Sequence, residues 1–351
     1  MKKHIVLFLG VLALAFSAKA QEGLENILIA DISDANKLTE AYLRPVARGF
    51  TYGMSNGWYH TAKVHGVLGF DISIGGNFSL VPSEKENLNV NDLNLSSQIT
   101  QSPATTPTVL GGGNSVRNAF EVTIPANSDP NINNGIHPEL KRNFTMPNGF
   151  KDDLPLNGVP TPAIQIGVGL PGKLEAKIRY APELDVNGTK GQLLGFGLKK
   201  EITSWFGPID KLPLHISILG AFTNMTVSRV IDNPSANDIT VTNGLAELKL
   251  NSYTVQAIGS LNFPFVTVYG GFGYVGGASS LTIGGRYEIE YTDGINSFTR
   301  VLNNPLDLQY DVSGFRTTIG SRLSLGFFKL YGSVTIQEFT TGNLGIAFSF
   351  R

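Results

Sequence analysis

The chain of 351 residues contains no cysteine. Disulfides, thiolate metal sites, thiol nucleophiles and a lipid anchor on cysteine are thereby excluded. Charge is scarce as well: Asp, Glu, Lys and Arg make up 16%, against roughly 25% in ordinary soluble domains. The 27 basic and 28 acidic residues leave a formal net charge of −1, with no basic excess for a nucleic acid partner. Five histidines, His4, His60, His65, His137 and His215, show no metal-ligand spacing, so no metal or other cofactor is expected. Beyond the first twenty residues every apolar run is broken by alternating polar residues or glycine, and none is a transmembrane helix. Such a chain crosses a bilayer only as a closed barrel.

What is abundant is glycine, with 40 residues, and a two-residue period. In the closing stretch Leu344, Ile346, Phe348 and Phe350 alternate with Gly345, Ala347, Ser349 and Arg351, so one face is greasy and the other small or polar. The same alternation marks about ten segments, beginning at Phe70, Ile72 and Ile74. In the stretch from Val266 to Tyr291 the parity shifts at Gly276–Gly277, which reads as a bulge in one long strand.

Alternation alone leaves open which face is inward, since a soluble sandwich or lipocalin-like barrel shows the same pattern. Short turns at Pro171–Gly172, Asn262–Phe263–Pro264 and Gly326–Phe327–Phe328 alternate with longer polar connections. Aromatics gather near strand ends, at Phe70, Tyr180, Phe265, Tyr291, Phe315, Phe328 and Phe350. Both features favour an all-β, antiparallel transmembrane β-barrel of about 10–14 strands, even in number, with its apolar face toward lipid.

The expected organisation has three parts. Residues 1–20 form a signal peptide, with Lys2 and Lys3, an apolar run from Ile5 to Phe16, and cleavage after Ala20, which directs the chain to the cell outer membrane. Residues 21–66 form a helical plug or periplasmic cap, and 67–351 the barrel. Within the barrel, 83–160 is a long polar excursion on the extracellular side, long enough to hide two or four more strands. Phe348 and Phe350 are expected to act as the signal read by the barrel-assembly machinery.

In the N-terminal part Ser33 or Asp34 caps a helix through Leu38, Ala41 and Tyr42, which Pro45 ends. The aperiodic segment that follows supplies the expected plug residues Arg44, Arg48, Trp58 and Tyr59. The run from Ala41 to Ile74, with Arg44-Pro45, Gly49, Asn56-Gly57-Trp58-Tyr59, Thr61-Ala62 and Leu68-Gly69-Phe70-Asp71, resembles an uncharacterised family of Bacteroidota outer-membrane proteins. More loosely, a helical plug leading into a barrel resembles the long-chain fatty-acid transporter family. That family's plug carries Asn-Pro-Ala, whereas Asn56 is followed here by Gly57 and Trp58, so the resemblance implies no ligand residue.

No catalytic constellation is expected. Gly167 to Gly172 matches a dinucleotide-binding glycine pattern, but Lys173–Ala176 alternates as a strand where a helix is needed. His215 shares a strand face with Ser217, a pairing that any serine-rich strand supplies. The charged parity points instead to a lumen lined by Asp71, Lys177, Arg179, Lys199, Glu201, His215, Arg286, Glu288, Arg316 and Arg322. Their mixed signs argue against strong ion selectivity. The expected function is a passive channel or transporter for a small or hydrophobic solute, with membrane lipid as surroundings. The alternative is a structural or adhesive surface protein that uses the barrel as an anchor.

Overall fold

A computed structural model describes residues 25–102, 104–112, 119–186, 188–231 and 238–350. The signal segment with its cleavage after Ala20, His4 and Arg351 lie outside the described residues.

Strand β1 (Phe70–Leu80) is followed by five short strands inside the excursion: β2 (Asn87–Asn89), β3 (Ile99–Ser102), β4 (Thr105–Pro107), β5 (Ala119–Ile124) and β6 (Leu140–Thr145). Next come β7 (Gly158–Leu170), β8 (Leu174–Val186), β9 (Thr189–Glu201), β10 (Leu214–Ile231) and β11 (Ile239–Asn262). The chain continues through β12 (Val266–Thr292), β13 (Ser297–Asn303), β14 (Leu306–Leu325), β15 (Phe328–Ile336) and β16 (Thr341–Phe350). Ten of these strands, β1, β7 to β12 and β14 to β16, pair antiparallel into a ring closed by β1 against β16. Phe70 lies opposite Phe350, so the ring starts and ends at the same rim, as an even count requires. The short turns share that rim; the excursion rises from the other.

Among the described residues, the excursion adds no strand to the ring. Strands β2 and β4 form one small sheet and β3, β5 and β6 another, both above the barrel wall. The excursion also ends earlier than its prolines suggest, because β7 begins at Gly158 and includes Pro160 and Pro162. There β7 pairs only with β1, since β8 joins it from Gln165 onward, and proline is tolerated where a strand lacks a second partner.

Every ring strand presents apolar side chains outward, among them Ile72, Ile166, Ile178, Phe196, Ile218, Val255, Phe272, Phe315, Val334 and Leu344. A continuous belt of this kind far exceeds the patches that soluble monomers expose, and it is stable only against lipid. Strands β1, β15 and β16, with 11, 9 and 10 residues, match the length needed to cross a bilayer. Phe70 and Phe350 stack at 5.0 Å at the turn rim, where Phe327 also stands over Phe350 at 6.1 Å. Tyr291 does not join this girdle: it is buried, and its hydroxyl donates to the Ile29 carbonyl at 3.0 Å beyond the opposite rim.

No bulge interrupts β12 at Gly276–Gly277. The register against β11 runs unbroken there and shifts only between Thr242 and Leu245. What changes along β12 is the character of the interior. Toward the turn rim the inward side chains are polar; toward the loop rim they are apolar, as at Leu281 and Ile283 here and at Leu308, Tyr310 and Val312 on β14. Arg286 and Glu288 therefore do not line the lumen. They sit on the part of β12 that overshoots the ring, Arg286 exposed and Glu288 half-buried, and pair with each other at 2.7 Å.

The apolar half exists because a helix fills it. Helix α1 (Ile32–Met54) is capped by Asp31, whose carboxylate accepts from the Ser33 amide at 3.0 Å. Its inner face carries Ala35, Leu38, Tyr42, Val46 and Phe50. Pro45 does not end it. Proline in a helix interior costs roughly 3 kcal/mol, but burial of Val46, Ala47, Phe50 and Tyr52 beyond it offsets that loss. Gly49 lets the helix approach β7, where a Cβ would stand 2.7 Å from Val159. Ser55 closes α1, and Gly57, at φ +72°, turns the chain sharply between Asn77 and Asn343.

Candidate functional site: an occluded lumen

From Ser55 to Gly66 the chain descends the polar half of the barrel, and the wall grips its backbone from all sides. Arg179 on β8 donates to the Met54 and Asn56 carbonyls at 2.7 and 2.9 Å, and its guanidinium lies 4.1 Å from the centre of the Trp58 ring. Arg316 on β14 donates to the Ser55 carbonyl at 2.9 Å and to the Asn56 amide oxygen at 2.6 Å. Tyr59 bonds Gln256 at 3.1 Å, and the Ala62 amide donates to Ser260 at 3.0 Å. Lys199 holds the Thr61 and Lys63 carbonyls at 3.2 and 3.1 Å, while Glu201 accepts from the Val64 amide at 3.0 Å.

The expected lumen residues Asp71, Lys177, Arg179, Lys199, Glu201, Arg316 and Arg322 thus converge, and His215 joins them through Glu201 at 2.9 Å. All of these but Arg322 and His215 are buried, and those two are half-buried. Glu175 sits at the centre, with Lys177 and Lys199 each 3.1 Å away and His65 at 3.0 Å. Asp71 faces His60 at 3.2 Å, and Arg322 approaches the other ring nitrogen at 3.1 Å. His60 is enclosed. His65, Asp71 and Glu175 bring metal-ligand atoms within 4.8 Å of one another. The two ammonium groups flanking Glu175 already balance its charge, so the cluster is an ion-pair network and does not fit a divalent cation.

Of the expected plug residues, Trp58 and Tyr59 are buried in the lumen. Arg48 lies at the loop rim against Glu338 at 2.6 Å, and Arg44 is exposed beside Glu40 on its own helix. Ser217 donates to the Ala62 carbonyl, so it forms no nucleophilic pair with His215. Phe348 and Phe350 face outward at the turn rim, Phe348 beside Phe328 at 5.7 Å.

Sequence reasoning overlooked Glu175, although it shares a parity with Lys177 and Arg179. It also missed an apolar cavity of about 100 Å³ between α1 and the wall. Leu43, Val46 and Ala47 line it from the helix, and Val227, Leu248, Leu281, Ile283 and Tyr310 from the strands. Among the described residues the Tyr310 hydroxyl, buried there, has no hydrogen-bond partner. Alternation identifies strand faces but carries no information on which inward residues leave space.

The fold and its interior define a ten-stranded antiparallel barrel of the transmembrane type, occluded by its own N-terminal segment. The chain belongs to the family described as "Family of unknown function (DUF6588)", whose model matches residues 1–350. No curated protein matches it significantly. Among solved structures it is similar to Ail, the attachment invasion locus protein of Yersinia pestis, at 14% identity over 54% of this chain and 97% of that one, with a TM-score of 0.25. It is similar also to the translocator domain of the autotransporter NalP from Neisseria meningitidis, at 11% identity over 82% and 90% of the two chains, with a TM-score of 0.29. Likeness this remote assigns none of their roles to this chain.

Proposed function

We propose that this chain is an outer-membrane barrel that admits a hydrophobic solute through a gated interior rather than a standing aqueous pore. The carrying observation is the division of the lumen. Its turn-side half is closed by a segment hydrogen-bonded to buried charges, and its loop-side half is an apolar chamber shared between α1 and the wall. A cavity of about 100 Å³ is smaller than the roughly 300 Å³ at which small-molecule pockets begin. A ligand larger than a short apolar group therefore shifts α1 on entry. The unpartnered Tyr310 hydroxyl and the bordering Thr189, Ser228 and Arg229 offer polar contacts at the edge of an otherwise apolar chamber, favouring a molecule that is largely apolar with a polar group.

The adhesive alternative draws on an open cleft of about 690 Å³ on the excursion, bordered by Gln101, Glu121 and Asn143. Against it, the excursion is built into the helix assembly: Ser96 donates to Asp34 at 2.5 Å, and Tyr42 donates to the Asn148 carbonyl at 2.8 Å. It reads as a lid over α1. Purified protein in liposomes is expected to take up an environment-sensitive apolar naphthyl probe, with at least tenfold weaker binding in Leu248→Trp, whose indole fills the chamber. Swelling in hydrophilic sugars without any probe uptake would overturn the reading.

A further inference from the structure

A second cleft, of about 640 Å³, opens at the turn rim between residues 61–66, the turn at Gly326–Phe327 and the end of β16. Three cations border it: Lys63, Arg322 and Lys329. None makes an ion pair with an acid among the described residues, and no Asp or Glu contributes to the lining. Arg322 commits one terminal nitrogen to His60 and the other to Thr267 at 3.0 Å, and its Nε is buried without a partner. Among the described residues, Lys329 donates to the Gly326 carbonyl alone, at 2.6 Å. The acidic groups of the lumen are occupied deeper inside, Glu175 by two lysines and Asp71 by His60. Among the described residues, these cations therefore have no acidic partner within ion-pair distance at the mouth.

The other wall of the cleft is aromatic. Phe327 and Phe350 border it and are exposed at 59% and 44% on the lipid side, at the level where aromatic belts meet headgroups. A cleft with unpaired cations on one side and membrane-facing phenylalanines on the other matches one kind of molecule in both halves. We propose that the turn-rim cleft binds an anionic amphiphile, its phosphate held by Lys63, Arg322 and Lys329 and its chain lying against Phe327 and Phe350. The site is separate from the apolar chamber and stands independently of the solute reading, because it needs only the barrel rim and its charges.

The shared chemistry is the phosphate, which a lipid headgroup or a free anion supplies. Full-length protein in neutral detergent is titrated with phosphatidylglycerol, phosphatidylcholine or inorganic phosphate, and bound species are counted by native mass spectrometry. The wild type is expected to retain phosphatidylglycerol over phosphatidylcholine. Lys63→Gln/Lys329→Gln, which leaves the His60–Arg322 contact in place, should bind phosphatidylglycerol about thirty-fold more weakly, given the usual contribution of a lysine at an anionic surface. Failure of inorganic phosphate to displace the lipid would assign the site to the amphiphile; displacement at equal concentration would assign it to the free anion. Equal phosphatidylglycerol binding by variant and wild type, or equal retention of both lipids, overturns the proposal. Unchanged heat-modifiable gel mobility of the variant shows that its barrel is folded.

Discussion

Replacing both luminal arginines, Arg179→Met/Arg316→Met, is expected to release the plug while leaving the barrel standing. Both guanidinium groups are fully buried; Arg179 makes two bonds and Arg316 three to the Met54–Asn56 corner, between 2.6 and 3.0 Å. A hydrogen bond to a charged group contributes roughly 1.5–3 kcal/mol, and a desolvated cation–π contact such as Arg179 on Trp58 about 2 kcal/mol. Methionine keeps the volume but relieves the desolvation of the charge, which offsets several kcal/mol. The net loss is then on the order of 2–4 kcal/mol per arginine. That shifts the seated-to-released ratio by about 30- to 1,000-fold at each site. The strand ladder is untouched, because these side-chain bonds run to the luminal segment rather than replacing backbone pairs. Planar-bilayer recording should show ion conductance in the double variant and none in the wild type, with the same heat-modifiable mobility for both. A folded double variant as impermeable as the wild type would refute the reasoning and show that packing of α1 alone seals the lumen.

One other outcome is expected. Phe350→Ala removes the stacking on Phe70 at 5.0 Å at the seam where the ring closes, and should lower the amount of protein recovered in the membrane; normal levels count against an assembly role.

The wall was legible because a lipid-facing strand has one strict rule, and residues such as Ile72, Phe196 and Leu344 obey it. The interior follows no such rule. Leu281 and Ile283 look like a new outward face after Gly276–Gly277, yet they point inward against the helix, and only tertiary packing decides that. Arg286 and Glu288 share the charged parity of true luminal residues but lie beyond the ring, since strand length past the membrane leaves no mark on alternation. Pro45 carries a strong local signal to stop a helix, and burial of the next turns overrides it. The luminal arginines were visible as charges, but their partners are backbone carbonyls, which no side-chain pattern records.

The path of the N-terminal segment has a consequence for assembly. Arg300, beyond the loop rim, holds the Leu28 and Ala30 carbonyls, whereas Leu68 bonds Gly169 at the turn rim. Between those points the chain passes through the ring that its own later strands form, as a thread passes through a bead. The last strand of the ring, β16, closes that bead by pairing with the strand that begins where the thread emerges. The strands must therefore wrap around a segment already in place, or that segment must be drawn through a finished ring. The buried charges along the thread favour wrapping, because each finds its backbone partner before water is excluded.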